Sequence, residues 1–319
     1  MIALGVLAAW TARRHLLVAL RYAFGKRSGG AADMNEPLPY RLAVFGAAIT
    51  FVGMVYFGWA AGCRIFFAIL LMGLIVGYYV VWARLRAETG LGFLPFPLEI
   101  NDAMLIFPTS AFRVREYITV ISTRWAFFPG FGESFEVCTG SALESLKVAD
   151  VSRINARRLT RAMVVCFLIA LGVAELVNLT GLYRHGMNVL QSARSWLMYQ
   201  AATDGHRIAE PLGAPQSWDL NGAAAVLAGA AVAATLSVLR LRFWWWPLHP
   251  VGYVAAMCWG LHLYYMPFMV GWLAKTLVIR YGGLRVYQTS VPFAIGLVVG
   301  DLLNQAVWAA VTIVTKGSL

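Results

Sequence analysis

Charge is scarce in this sequence. Asp, Glu, Lys and Arg make up 13% of its 319 residues, against about 25% in soluble domains. The hydrophobic share is 60% and the mean hydropathy is +0.67. That much apolar surface is more than a globular core can hide, so a soluble domain is excluded and lipid is the expected solvent. Paired cysteines are also missing. Cys63, Cys138, Cys166 and Cys258 stand far apart, which fits neither a disulfide framework nor a CxxC metal site. No HExxH, GxSxG or P-loop occurs, and His249 and His262 lie thirteen residues apart, a spacing that suits no metal. Glu99 and Asp102 form an i,i+3 carboxylate pair in a proline-flanked stretch, a pattern usual for solvated or capping residues. No catalytic residue, metal site or cofactor is therefore expected, and the chain is not read as an enzyme.

What charge there is carries one dominant sign. The net charge is +11, but the basic residues flank apolar runs instead of forming one solvated patch. They read as a topology signal and not as a nucleic-acid surface. The chain opens on MIALGVLAAWTARRHLLVALRYAFGKR, whose apolar stretch precedes its charges, opposite to a secretory signal. Residues 1–40 are read as an interfacial amphipathic helix followed by a polar linker. A cut transmembrane segment is the alternative.

Six uncharged or nearly uncharged runs have the length of a membrane span, about 20 residues. They are 42–62 and 65–83, forming a hairpin within 41–83, then 162–183, 220–239, 250–274 and 291–315. The last four make a C-terminal membrane domain, 162–319. The middle section, 84–161, holds two apolar pieces broken by proline or charge, 91–108 and 116–132. These are expected to be re-entrant or interfacial. A cytoplasmic amphipathic helix follows over 141–162. With the N-terminus inside, 19 basic residues fall on the inner side and 7 on the outer. Both termini are thus expected to be cytoplasmic, in a bacterial inner membrane. Lys275, Arg280 and Arg285 are the exception; they lie on the expected outer side unless the fifth segment turns back at Pro267. The fold class is all-α: a polytopic membrane protein of about six transmembrane helices plus re-entrant pieces.

Two carboxylates lie inside these runs. Glu175 has Asn178 one turn on; Asp301 has Asn304 and Gln305. A charge at the bilayer centre costs roughly 2.5–3.5 kcal/mol on insertion scales, so such residues face a protein interior and are functional candidates. They either hold helices together or couple ions or protons to transport. Lys275 either snorkels to the headgroups or, as a binding candidate, pairs with Asp301 or attracts an anionic substrate. The stretch RFWWWPLHPVGY, 242–253, is read as an inner-interface anchor through Arg242, Trp244, Trp245 and Trp246. Its two prolines separate neighbouring segments.

That stretch also carries a resemblance. Together with WLAKTLVIRYGGLRVY (272–287) and PFAIGLVVGD (292–301), it resembles the C-terminal part of an uncharacterised bacterial membrane-protein family of two adjoining domains of unknown function. ARRHLL (12–17), RLRAETG (84–90) and KVAD (147–150) extend the likeness over nearly the whole chain. Members of that family are about twice this length, which implies a missing N-terminal half or a partner supplying it. In layout the chain is distantly similar to oligopeptide-transporter-type carriers; that similarity brings no binding residue with it. The expected function is a secondary-transporter-like carrier of small organic solutes or peptides. The alternatives are a non-transporting scaffold or assembly subunit and, after it, a membrane-embedded enzyme. Expected partners are the lipid bilayer and an N-terminal half or a second copy of the chain.

Overall fold

The computed structural model describes residues 2–25, 36–90, 104, 106–123, 136–186, 191–256 and 259–316. Glu99 and Asp102 lie outside them. Every regular element among the described residues is helical. Two compact units divide the chain, Met1–Trp259 and Gly260–Leu319.

The first unit is built on a hairpin, α2 (Tyr40–Ala60) and α3 (Ile65–Thr89). Both helices are long apolar runs without an internal breaker, and the turn between them is set by Gly62. Its φ of +97° is a conformation that side chains with a Cβ rarely adopt. Gly90, at φ +68°, ends α3 in the left-handed region, and its N–H bonds the Arg86 carbonyl. α3 carries most of the core. Ala68, Leu71, Met72, Ile75, Tyr78, Val81, Trp82 and Leu85 are all buried. Their three- and four-residue spacing gives one continuous packed face.

α1 (Ile2–Phe24) packs against both arms of the hairpin. A Cβ on Gly5 would stand 3.1 Å from Val81, while the Phe24 and Phe45 rings meet at 5.6 Å. Val81 and Phe45 are each about 26 Å from the turn at 1.5 Å per residue. α1 therefore crosses the hairpin near its open end instead of running along it. Stacking of Tyr22 on Tyr40, and a bond from Arg41 Nη2 to the Gly25 carbonyl, fasten the crossing.

The middle section visits both ends of α3. Ile106 to Arg113 lie at the turn end, where Arg64 Nη2 bonds the Ala111 carbonyl and the Phe112 ring meets Phe67. From there α4 (Val114–Thr123) starts beside the turn, buries Tyr117, Val120 and Ile121, and brings Thr123 to a groove also lined by Met54, Met72 and Ile75. α5 (Glu136–Val151) packs at the opposite end, where Glu144 meets Arg86. The surface helix expected over 141–162 is divided. Arg153, at φ +55°, makes a turn after α5, and Asn155 then starts α6 (Ala156–His185). The Asn155 side chain accepts from the N–H groups of Arg157 and Arg158, which is why the new helix begins there.

α7 (Gln191–Gly213) packs on α4. α8 (Leu220–Arg242) starts at the turn end of the hairpin, capped by Asp219, whose N–H bonds the Ile106 carbonyl. α8 ends beside the C-terminal end of α3, and α9 (Pro250–Ala255) follows after the tryptophan stretch.

The second unit holds α10, which begins at Trp259 and runs to Leu277, a π-helical turn (Val278–Gly282) and α11 (Gly283–Lys316). Here the structure differs from the six expected spans. Residues 275–290, expected as a connection, are helical, so the fifth and sixth runs join into one stretch, Tyr264–Thr312. Five helices are then long and apolar enough to cross a membrane. The reason is local. Between 275 and 290 the only breaker is the pair Gly282-Gly283: a π turn ends on Gly282, and Gly283, at φ +71°, departs from helical geometry for a single residue as α11 begins. Pro267 and Pro292 both lie inside helices and end neither.

Candidate functional site

The polar groups most firmly built into the first unit cluster at the hairpin turn. Glu116, in the first turn of α4, is fully buried and accepts four bonds. Arg64 gives it Nε at 2.8 Å, Nη2 at 2.7 Å and its backbone N–H at 3.1 Å. Arg113 gives its backbone N–H at 2.9 Å. Burial alone would push this carboxyl up. The guanidinium and the two backbone donors outweigh it and hold Glu116 below the usual carboxylate range. Cys63 and Thr119 add a hydrogen bond beside the pair. A second pair sits at the far end of α3, where buried Arg86 gives Nε to Glu144 at 3.0 Å. Arg64 and Arg86 are 22 residues apart, about 33 Å along the helix. That distance matches the ~30 Å hydrocarbon core of a bilayer.

Aromatic rings gather at the same two levels. Phe67, Phe107, Phe112, Tyr117 and Trp218 form a connected cluster at the turn end. At the open end Phe243, Trp245 and Trp246 form a chain of ring contacts, and Trp244 is almost wholly exposed. Arg242, also exposed, closes α8 beside them.

The carboxylates expected within the apolar runs lie on α6 and α11. Glu175 and Asn178 share one face of α6; both are exposed, and they make no bond to each other. Asp301, in the second unit, accepts from Gln305 Nε2 at 2.8 Å across one turn of α11, and Asn304 is exposed beside them. Lys275 stands 5.4 Å over the Tyr287 ring, a cation–π contact in place of the alternative pairing with Asp301. Asp301 and Gln305 are thus brought together; Glu175 and Asn178 are aligned only.

His249 is held in one form. Its Nδ1 accepts from the Val251 N–H, so Nε2 carries the hydrogen. Burial, and then Arg240, keep its imidazole below the usual value, with Glu88 opposing. Its role in the structure is to cap α9. No group of three or more metal-binding side chains occurs among the described residues.

The sequence pattern does not reveal the Arg64–Glu116 pair: Arg64 stands in the short connection between two uncharged runs, and Glu116 opens the apolar piece 116–132. The available signal was that a lone arginine in a two-residue connection between uncharged runs requires a counterion.

The fold and these sites describe an all-helical chain with five helices of membrane-crossing length and two charge clamps a bilayer apart. A family model, described as a family of unknown function (DUF6785), matches residues 1–318. The chain belongs to that family. No curated protein and no solved structure matches it.

Proposed function

We propose that this chain is a secondary-transporter-like carrier, or the C-terminal half of one, moving small organic solutes or peptides across a bacterial inner membrane. Both termini are cytoplasmic in this reading. The observation that carries it is the pair of carboxylates, Glu175 and Asp301, set within otherwise apolar helices. Charges kept at that depth are a cost that ion or proton coupling explains. The ten-residue α4, which begins at the turn and ends partway along the hairpin, supports the same reading, because carriers build their sites from short, interrupted helices. The crosswise α1 fits a helix lying in the interface. The second reading, a non-transporting assembly subunit, is favoured by the exposure of Glu175 and Asp301, which a second copy or a partner chain would cover. No enzymatic activity is proposed.

The test is reconstitution into liposomes and measurement of the uptake of a labelled mixture of di- and tripeptides under an imposed proton or sodium gradient. Glu175→Gln and Asp301→Asn should each abolish coupled flux while inserting normally. Unchanged flux in both would end the coupling idea, and absence of flux in the wild type with its full assembly would favour the scaffold.

A further inference from the structure

The C-terminal ends of α3 and α8 enclose, with the start of α9, a cavity of about 120 Å³. Two arginines line it from different helices, Arg84 on α3 and Arg240 on α8, together with a single carboxylate, Glu88. The carboxylate is already engaged by Arg84 Nε at 2.8 Å. The wall therefore keeps a net positive charge, and Arg240 has no hydrogen-bond partner among the described residues. A guanidinium carries five donors in a planar fork that matches a phosphate. His249 adds a neutral ring with its hydrogen on Nε2. The remaining wall includes Ser237, whose hydroxyl is spent on the Ala233 carbonyl, and the apolar Val81, Leu85, Leu241 and Val251.

Two exposed guanidiniums beside an apolar side chain are the chemistry of a lipid headgroup site. Arg240 can give a phosphate a forked contact, and the exposed Leu241 next to it offers apolar surface to an acyl chain. The cavity lies at the end of α8 that runs into the tryptophan stretch, where a headgroup layer is expected. Basic pockets between helices are a recognised way of holding anionic lipid heads.

We infer that the cavity between the ends of α3 and α8 binds the phosphate of an anionic phospholipid through Arg240 and Arg84. This does not rest on the transport reading, since a scaffold would hold the same lipid.

The experiment uses the whole protein in detergent, with native mass spectrometry and thermal melting as readouts. The probes are phosphatidylglycerol, zwitterionic phosphatidylcholine and inorganic phosphate. The wild type should retain phosphatidylglycerol and melt higher with it, with little effect from phosphatidylcholine. Arg240→Gln should weaken phosphatidylglycerol retention about tenfold, the worth of a charge-assisted forked contact. Arg184→Gln, the same charge change outside the cavity, should leave it unchanged. Equal retention of both lipids by the wild type overturns the inference, and so does an equal loss in the two variants. Protection by inorganic phosphate without protection by phosphatidylglycerol also overturns it, since the ligand would then be a free anion. The comparison of lipids on the wild type decides the matter even where Arg240→Gln fails to fold.

Discussion

Replacing Glu116 by alanine probes the clamp at the hairpin turn directly. The carboxylate is fully buried and satisfies two backbone N–H groups and the Arg64 guanidinium. Removing it strands donors that packing keeps from water. Breaking a buried pair from one side costs about 3–5 kcal/mol. The Arg64 side chain is 44% exposed, so it regains water, and the lower end, about 3 kcal/mol, is expected for Glu116→Ala. In large chains each kcal/mol moves the midpoint by about 2 °C at the low end, so melting should fall by about 6 °C. The assay is the soluble fraction after heating in detergent, read by size-exclusion chromatography, for the wild type, Glu116→Ala, Arg64→Ala and the double variant. The double should lose clearly less than the sum of the singles. Additivity within about 0.5 kcal/mol, or wild-type melting of Glu116→Ala, would refute the reasoning. The pH dependence has a fixed sign. Because the folded carboxyl is held below its usual value, its contribution is complete above the unfolded value of about 4.3. It fades as the pH falls from there through the lower folded value. The gap between the wild type and Glu116→Gln should accordingly stay constant down to that pH and narrow below it.

Two further outcomes follow from the same geometry. In a cysteine-free background, Ser110→Cys and Ser141→Cys should react with an impermeant maleimide from opposite faces of the membrane, because residue 110 lies with the turn and α5 lies with Arg86; labelling from one face would contradict the path of the middle section. Gly62→Ala forces a Cβ into a φ of +97° and against the Arg115 side chain. It should cost about 1–2 kcal/mol and lower the melting midpoint by a few degrees, whereas Gly73→Ala, which meets nothing, should not.

The helices legible in the sequence were those whose pattern is continuous. Residues 42–62, 65–83 and 220–239 reappear almost unchanged in α2, α3 and α8, because length and hydropathy alone define them. The join of the last two runs was not legible. Three cations between them resemble a loop, yet nothing there breaks a helix except two adjacent glycines, and a π turn followed by a single non-helical residue takes those up. The expected polar residues were found by their cost in lipid, a local property. The Arg64–Glu116 clamp escaped because its partners are 52 residues apart, and which carboxylate answers a lone arginine is decided by packing. The cavity at Arg240 escaped for the same reason. It is made by the ends of three helices, each unremarkable by itself.

The two charge clamps have a consequence for the proposed placement of α3 in a bilayer. A single helix adjusts to a thicker membrane by tilting less and to a thinner one by tilting more. α3 has lost that freedom, since each of its end arginines is tied to a glutamate of the middle section. Its apolar length therefore acts as a gauge of fixed setting. In the proposed membrane placement, a bilayer of another thickness has to deform around this protein, and the cost of that deformation would sort it toward membranes about 30 Å deep in hydrocarbon.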